Sequence, residues 1–163
     1  MGIKEGDLAP ALDLPVGDGG VIRLSGLRGR HVVVYFYPRD ATPGCTTEAL
    51  EFNALKPQFE AAGATVVGVS PDSVASHARF AARHGLDIAL AADPERTVLE
   101  AWGVWVEKTL YGRKHMGVER STFLIGPDGV VRRVWRKVKP AGHAAAVLAA
   151  LRELQPASGA DAG

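Results

Sequence analysis

The chain has 163 residues, 47% of them hydrophobic and 23% charged, with a formal net charge of +1. That length and composition suit one globular domain with a real core, and a near-neutral charge gives no field to draw in nucleic acid or an anionic membrane. No apolar run approaches the length of a transmembrane helix. The opening MGIKEGDLAP carries charges where a signal peptide needs its apolar stretch, so a cytoplasmic protein is the expectation.

Near the N-terminus, Ala11–Leu14 and Val21–Leu24 flank Gly17-Asp18-Gly19-Gly20, the pattern of a hairpin. Val32–Tyr37 (VVVYFY) is almost continuous in β-branched and aromatic residues, as in a strand covered on both faces. A helix is expected from Pro43 towards Gly63, with Pro57 marking a kink or break. Ala64–Val69 is a second buried strand, and Ser73–His84 a helix ended by Gly85. A short helix follows over Glu95–Trp102. Strands Ser121–Ile125 and Val130–Trp135 enclose the turn Gly126-Pro127-Asp128-Gly129, and a last helix runs from Gly142 to Leu154. Pro156–Gly163 reads as a disordered tail behind a domain of residues 1–155. Alternating strands and helices, then a hairpin and a closing helix, predict an α/β mixed sheet with helices on both faces. A thioredoxin-like three-layer sandwich fits this order, and periodicity alone leaves other such sandwiches open.

There is one cysteine, Cys45, which excludes an intrachain disulfide, a paired-cysteine redox motif and a multi-cysteine zinc site. A lone cysteine is either an inert small hydrophobe or a reactive thiol, and its surroundings decide. Here a buried strand ends at Tyr37, Pro38 stops further pairing, and Thr42 and Pro43 are a helix N-cap and first helical residue. Cys45 is then the third residue of the helix. Free N–H groups and the positive end of the helix dipole favour thiolate there, and a capping Thr42 hydroxyl comes within reach. Gly44 allows close approach to the backbone. Cys45, Ala49, Phe52, Leu55 and Phe59 share one face, so the sulfur tops a buried stripe.

Pro38-x-x-x-Thr42-x-x-Cys45 resembles the active-site pattern of the peroxiredoxins, and YFYPRDATPGCTTEA looks like their bacterioferritin-comigratory, or Q-type, subfamily. GDLAPALDLP, LYGRKHMGVERSTFLIGPDGVVRRVW and KPAGHAAAVLAAL are similar to other parts of that group, extending the likeness to about Leu154. The resemblance implies a thioredoxin-like fold and a thiol-dependent peroxidase acting on hydrogen peroxide and organic hydroperoxides. It makes Cys45 the peroxidatic residue, gives Thr42 to the peroxide and Pro38 to the pocket wall, and assigns Arg120 to the thiolate and transition state. Glu48 matches a family position as a supporting acid. No cofactor and no metal are implied.

Many members carry a resolving cysteine five residues after the first, and here that residue is Leu50. The expectation is a one-cysteine cycle in which an external thiol (a thioredoxin, a glutaredoxin or a low-molecular-weight thiol) reduces the Cys45 sulfenic acid, in a monomer or weak homodimer. The rival on the same fold is a non-catalytic redox sensor that passes its oxidation to a protein partner. Pro38, Thr42, Cys45 and Arg120 together argue against it. A phosphatase reading lacks the arginine that should follow the cysteine. A cysteine-hydrolase reading lacks a histidine near Cys45 in sequence.

Overall fold

A computed structural model describes residues 3–17 and 19–154. The elements in order are β1 (Asp13–Pro15), β2 (Val21–Arg23), β3 (His31–Phe36), α1 (Pro43–Ala54), α2 (Lys56–Ala61), β4 (Ala64–Ser70), α3 (Val74–His84) and β5 (Ala89–Ala92). There follow α4 (Thr97–Ala101), β6 (Trp105–Leu110), β7 (Arg113–Val118), β8 (Ser121–Ile125), β9 (Val131–Trp135) and α5 (His143–Leu154). Five strands form one mixed sheet in the order β5-β4-β3-β8-β9. β3 pairs parallel with β4 and antiparallel with β8. β1–β2 and β6–β7 are separate antiparallel hairpins. No helix among the described residues is long and apolar enough to cross a membrane.

The alternation of a strand divides the core in two. Val33, Tyr35 and Tyr37 face a cluster that holds Phe52 of α1, Phe59 of α2, Phe80 of α3 and Val147 and Leu151 of α5. Val32, Val34 and Phe36 face the other cluster, with Leu12, Leu14, Leu99 and Trp102. β3 is covered on both sides, which is why its sequence is apolar without interruption.

The long helix expected from Pro43 to Gly63 is two helices. Pro57 has no N–H to give the ladder, and its ring crowds the carbonyl four residues back, so the helix stops at Leu55 and restarts with Pro57 in its first turn. Gly85 ends α3 in the left-handed conformation (φ 62°), and Ser73 caps its start by accepting from the Ser76 N–H at 3.1 Å. The small residues of β5 and the charged β6–β7 hairpin carry little strand signal, and neither is among the elements expected from the sequence. The hairpin turns at Tyr111 and Gly112, both at positive φ, as a two-residue hairpin loop requires. Asp18, in the N-terminal turn, and the tail 156–163 lie outside the described residues.

Tyr35 lies flat between Phe52, with ring centroids 4.5 Å apart, and Tyr37, at 5.6 Å. Its phenol fills the space above Gly68, where an added Cβ would stand 2.6 Å from the ring. Phe52 is fully buried in the same stack. Phe52→Ala is expected to cost about 3–5 kcal/mol of stability, read as a shifted midpoint in urea unfolding.

Candidate active site

The site forms where β3 hands the chain to α1. Tyr37 still donates its N–H to Val69 O at 3.0 Å, and half-buried Pro38 then ends the pairing. Ala41 turns the chain at φ 67° and Thr42 occupies the N-cap of α1 with extended backbone. Its carbonyl accepts from the Thr46 N–H at 2.9 Å and the Thr46 hydroxyl at 2.8 Å. The side-chain cap expected of Thr42 is not made. Its hydroxyl donates instead to Arg39 O at 2.8 Å, tying the loop back on itself and committing the hydroxyl proton, so that the oxygen is left as an acceptor.

Cys45 is the third residue of α1, as its spacing predicts, and is 1% exposed. It joins Ala49, Phe52 and Phe59 in the buried stripe. Arg120 reaches it from the other side of the sheet's centre. The β3–β8 register sets Ser121 opposite Phe36, so the residue before Ser121 lies beside the exit of β3. Arg120 Nη2 donates to Cys45 Sγ at 3.4 Å and Nη1 to Glu48 Oε1 at 2.7 Å. Gly44 eases this approach: a Cβ there would stand a tight 3.2 Å from Arg120 Nη2 and 3.4 Å from Pro140. The group that approaches the bare backbone at Gly44 is thus the guanidinium.

Glu48 is fully buried, and its second oxygen, Oε2, has no protein donor among the described residues. Burial pushes its carboxyl up to about 7, although Arg120 pulls the other way. The Tyr35 hydroxyl is also buried with no hydrogen-bond partner among the described residues, and burial with the charge of Glu48 raises it well above the ordinary phenol value.

A polar network behind the loop went unread in the sequence. Asp40 accepts from the Tyr37 hydroxyl at 2.6 Å and the Ser76 hydroxyl at 2.7 Å, and its Oδ2 lies 2.7 Å from His77 Nδ1. Its own N–H donates to Asp72 Oδ2 at 2.7 Å. His77 Nε2 lies 3.0 Å from Ala91 O. Burial raises the Asp40 carboxyl, but the bonds from His77, Tyr37 and Ser76 outweigh it and hold the group below the usual carboxylate value. Asp40, Asp72 and His77 are close enough to share a cation. Asp40 and Asp72 instead take donors from the loop and from neighbouring hydroxyls, and His77 lies between Asp40 and Ala91 O. The sequence signal was the place of Asp40 beside Thr42 and of His77 one turn before buried Phe80 on α3. His143, at the start of α5, sets Nε2 2.7 Å from Thr122 Oγ1. Burial, and then nearby Arg120, push its imidazole down to about 4.

A buried cysteine in a first helical turn, with a guanidinium donating to its sulfur, is an arrangement for thiol chemistry. Comparison with known proteins names the chemistry. The AhpC/TSA family model matches residues 6–134. The chain belongs to the AhpC/TSA family of peroxiredoxins. Peroxiredoxin Bcp of Xanthomonas campestris is 51% identical over 146 residues, covering 88% of this chain and 91% of that one. Peroxiredoxin Bcp of Bacillus subtilis is 43% identical over 154 residues, covering 94% and 98%. The solved structure of the X. campestris bacterioferritin comigratory protein, described for its alkyl peroxide reduction activity, superposes with a TM-score of 0.84 at 50% identity and covers 87% and 90% of the two chains. A serine-for-cysteine mutant of Xylella fastidiosa PrxQ gives 0.88 at 43% identity, covering 94% and 98%. The fold is therefore thioredoxin-like, and the chain is a thiol peroxidase of the Bcp, or PrxQ, kind. The X. campestris protein has also been solved with each of two different cysteines replaced by serine, whereas this peroxiredoxin has Cys45 alone.

Gly44→Ala is expected to crowd Arg120 Nη2, loosen its contact with the sulfur and slow reaction with peroxide about tenfold, measured by stopped flow. His143 supplies a pH test. The unfolded chain protonates this imidazole near its ordinary value of about 6.5 and the folded one only near 4, so the unfolded state binds more protons between those values. Stability from this group is full above about pH 6.5 and falls by up to roughly 3 kcal/mol as pH drops through 4. His143→Gln removes that slope, read by urea unfolding at pH 7 and at pH 4.5.

Proposed function

We propose that this peroxiredoxin reduces hydrogen peroxide and alkyl hydroperoxides at Cys45 by a one-cysteine cycle in which an external thiol closes each turnover. The observation that carries the residue assignment is the 3.4 Å contact from Arg120 Nη2 to a sulfur in the first turn of α1. The sulfur gives an electron pair to the distal peroxide oxygen. An S–O bond forms, the O–O bond breaks, and water or an alcohol leaves. Negative charge spreads over the sulfur and both oxygens as this happens. Arg120 and the first-turn amides of α1 are donors already aimed at that charge, which need no reorganisation during the reaction.

Thr42 complements them. Because its proton goes to Arg39 O, its oxygen accepts the hydrogen of the incoming hydroperoxide. Pro38 walls the pocket, Gly44 keeps the backbone bare beside Arg120, and Glu48 fixes the guanidinium through the 2.7 Å bond. The reductant is a low-molecular-weight thiol, a thioredoxin or a glutaredoxin, because Leu50 leaves no second cysteine to resolve the sulfenic acid. We place the working form as a monomer or weak homodimer in the cytoplasm.

Addition of one equivalent of hydrogen peroxide to the reduced protein, with a sulfenic-acid trap, should give rapid stoichiometric trapping at Cys45 by intact mass. A thiol that stays reduced for many minutes would sink the assignment. Cys45→Ser should abolish turnover. Arg120→Ala and Thr42→Val should each lower the peroxide rate constant about 10²-fold. Near-native turnover in Arg120→Ala would remove that residue from the mechanism.

A further inference from the structure

Cys45, Glu48 and Arg120 form a set of two acids and one cation. Glu48 is 0% exposed, Cys45 1%, and the Arg120 side chain 15%. One guanidinium serves both, through Nη1 to Glu48 Oε1 and Nη2 to Cys45 Sγ. Among the described residues, the charged groups that act on Glu48 are Arg120 and Glu51. Glu51, on the same helix, adds a negative charge, and Tyr35 of β3 is neutral. His143 of α5, beside Arg120, is uncharged near neutral pH. Two anions against one cation in a water-poor site repel strongly, so one of the two acids keeps a proton. Glu48 Oε2, buried without a donor among the described residues, is poorly solvated as a carboxylate and well suited to carry that proton.

We propose that Glu48 stores the proton that Cys45 gives up and releases it to the oxygen that leaves when the peroxide bond breaks. This rests on Cys45 being the peroxidatic thiol. In the reduced protein the site holds a thiolate, a neutral carboxyl and a guanidinium, which sum to zero. The thiolate then donates its electron pair to the distal oxygen. The S–O bond forms and the O–O bond breaks. Sulfur is oxidised to the neutral sulfenic acid, and the proximal oxygen is reduced and departs with the bonding pair as alkoxide or hydroxide. The Glu48 proton, passed directly or through one water, converts it to alcohol or water. The site then holds a sulfenic acid, a carboxylate and a guanidinium, again summing to zero. The carboxyl pushed up to about 7 is consistent with a group that holds a proton before the reaction and yields it afterwards.

The test counts protons. Reduced native protein in weak buffer at pH 7 receives one equivalent of hydrogen peroxide. Ultraviolet thiolate absorbance, a sulfenic-acid trap and a pH-indicator dye are read together, with Cys45→Ser as the blank. The expected result is a thiolate signal that disappears on oxidation with no net proton taken from solution. Glu48→Gln keeps an acceptor for Arg120 but holds no proton. It should take up one proton per sulfenic acid formed and react about 10²-fold more slowly. Uptake of one proton per sulfenic acid by the native protein would overturn the proposal, as would the absence of thiolate absorbance before oxidation. The native protein supplies these outcomes even if the variant fails to fold. If no sulfenic acid forms at all, the assignment of Cys45 fails, and this inference with it.

Discussion

Arg120 reaches both Cys45 and Glu48 because β3 and β8 run antiparallel with Phe36 opposite Ser121. A slip of one residue along that pair would turn the strand over and carry the arginine away from the helix start. The register is held by the two apolar clusters on either side of the sheet, since β8 is buried along its whole length. Packing of Phe123 and Leu124 on opposite faces therefore decides where a charge sits a few residues earlier, just before the strand. The site belongs to the sheet as much as to the loop.

The loop itself is fixed from behind. Ala41 adopts a left-handed conformation that costs a residue with a side chain about 1 kcal/mol, and its neighbour Asp40 is tied to Tyr37, Ser76, His77 and Asp72. Those bonds bind the loop to α3 and to the end of β4. They hold the turn that gives α1 its starting direction, and so the place of Thr42 and Cys45. A buried carboxylate loses stabilisation with each partner removed, so the network favours one conformation of the loop that leads into α1.

Much of this was legible in the residues. The apolar run of β3, the Thr42-Pro43 helix start and the Gly85 stop each rest on a local rule, and each is where that rule puts it. The split of the long helix was foreshadowed by Pro57. What was hidden depended on contacts between distant segments. β5 is made of alanines and a leucine and becomes a strand only by pairing with β4. The β6–β7 hairpin is mostly exposed and lacks the alternation that marks a half-buried strand. Thr42 was read as a side-chain cap because the capping rule is local, and the competing carbonyl of Arg39 becomes available only once the loop has folded. His77 and Asp40 are 37 positions apart, and no spacing rule joins them.

Leu50 carries a mechanical consequence. It stands on the outer side of α1, 42% exposed, while Cys45 points into the core. Five residues along a helix is about four-tenths of a turn out of phase, so side chains at these two positions diverge. A disulfide between such positions would need their Cα atoms closer than an intact helix allows, and α1 would have to unwind to form it. With leucine there, oxidation of the sulfur places no tension on the helix. A disulfide at these positions would also pull on the stack of Tyr35 and Phe52 beneath the helix, and leucine removes that pull.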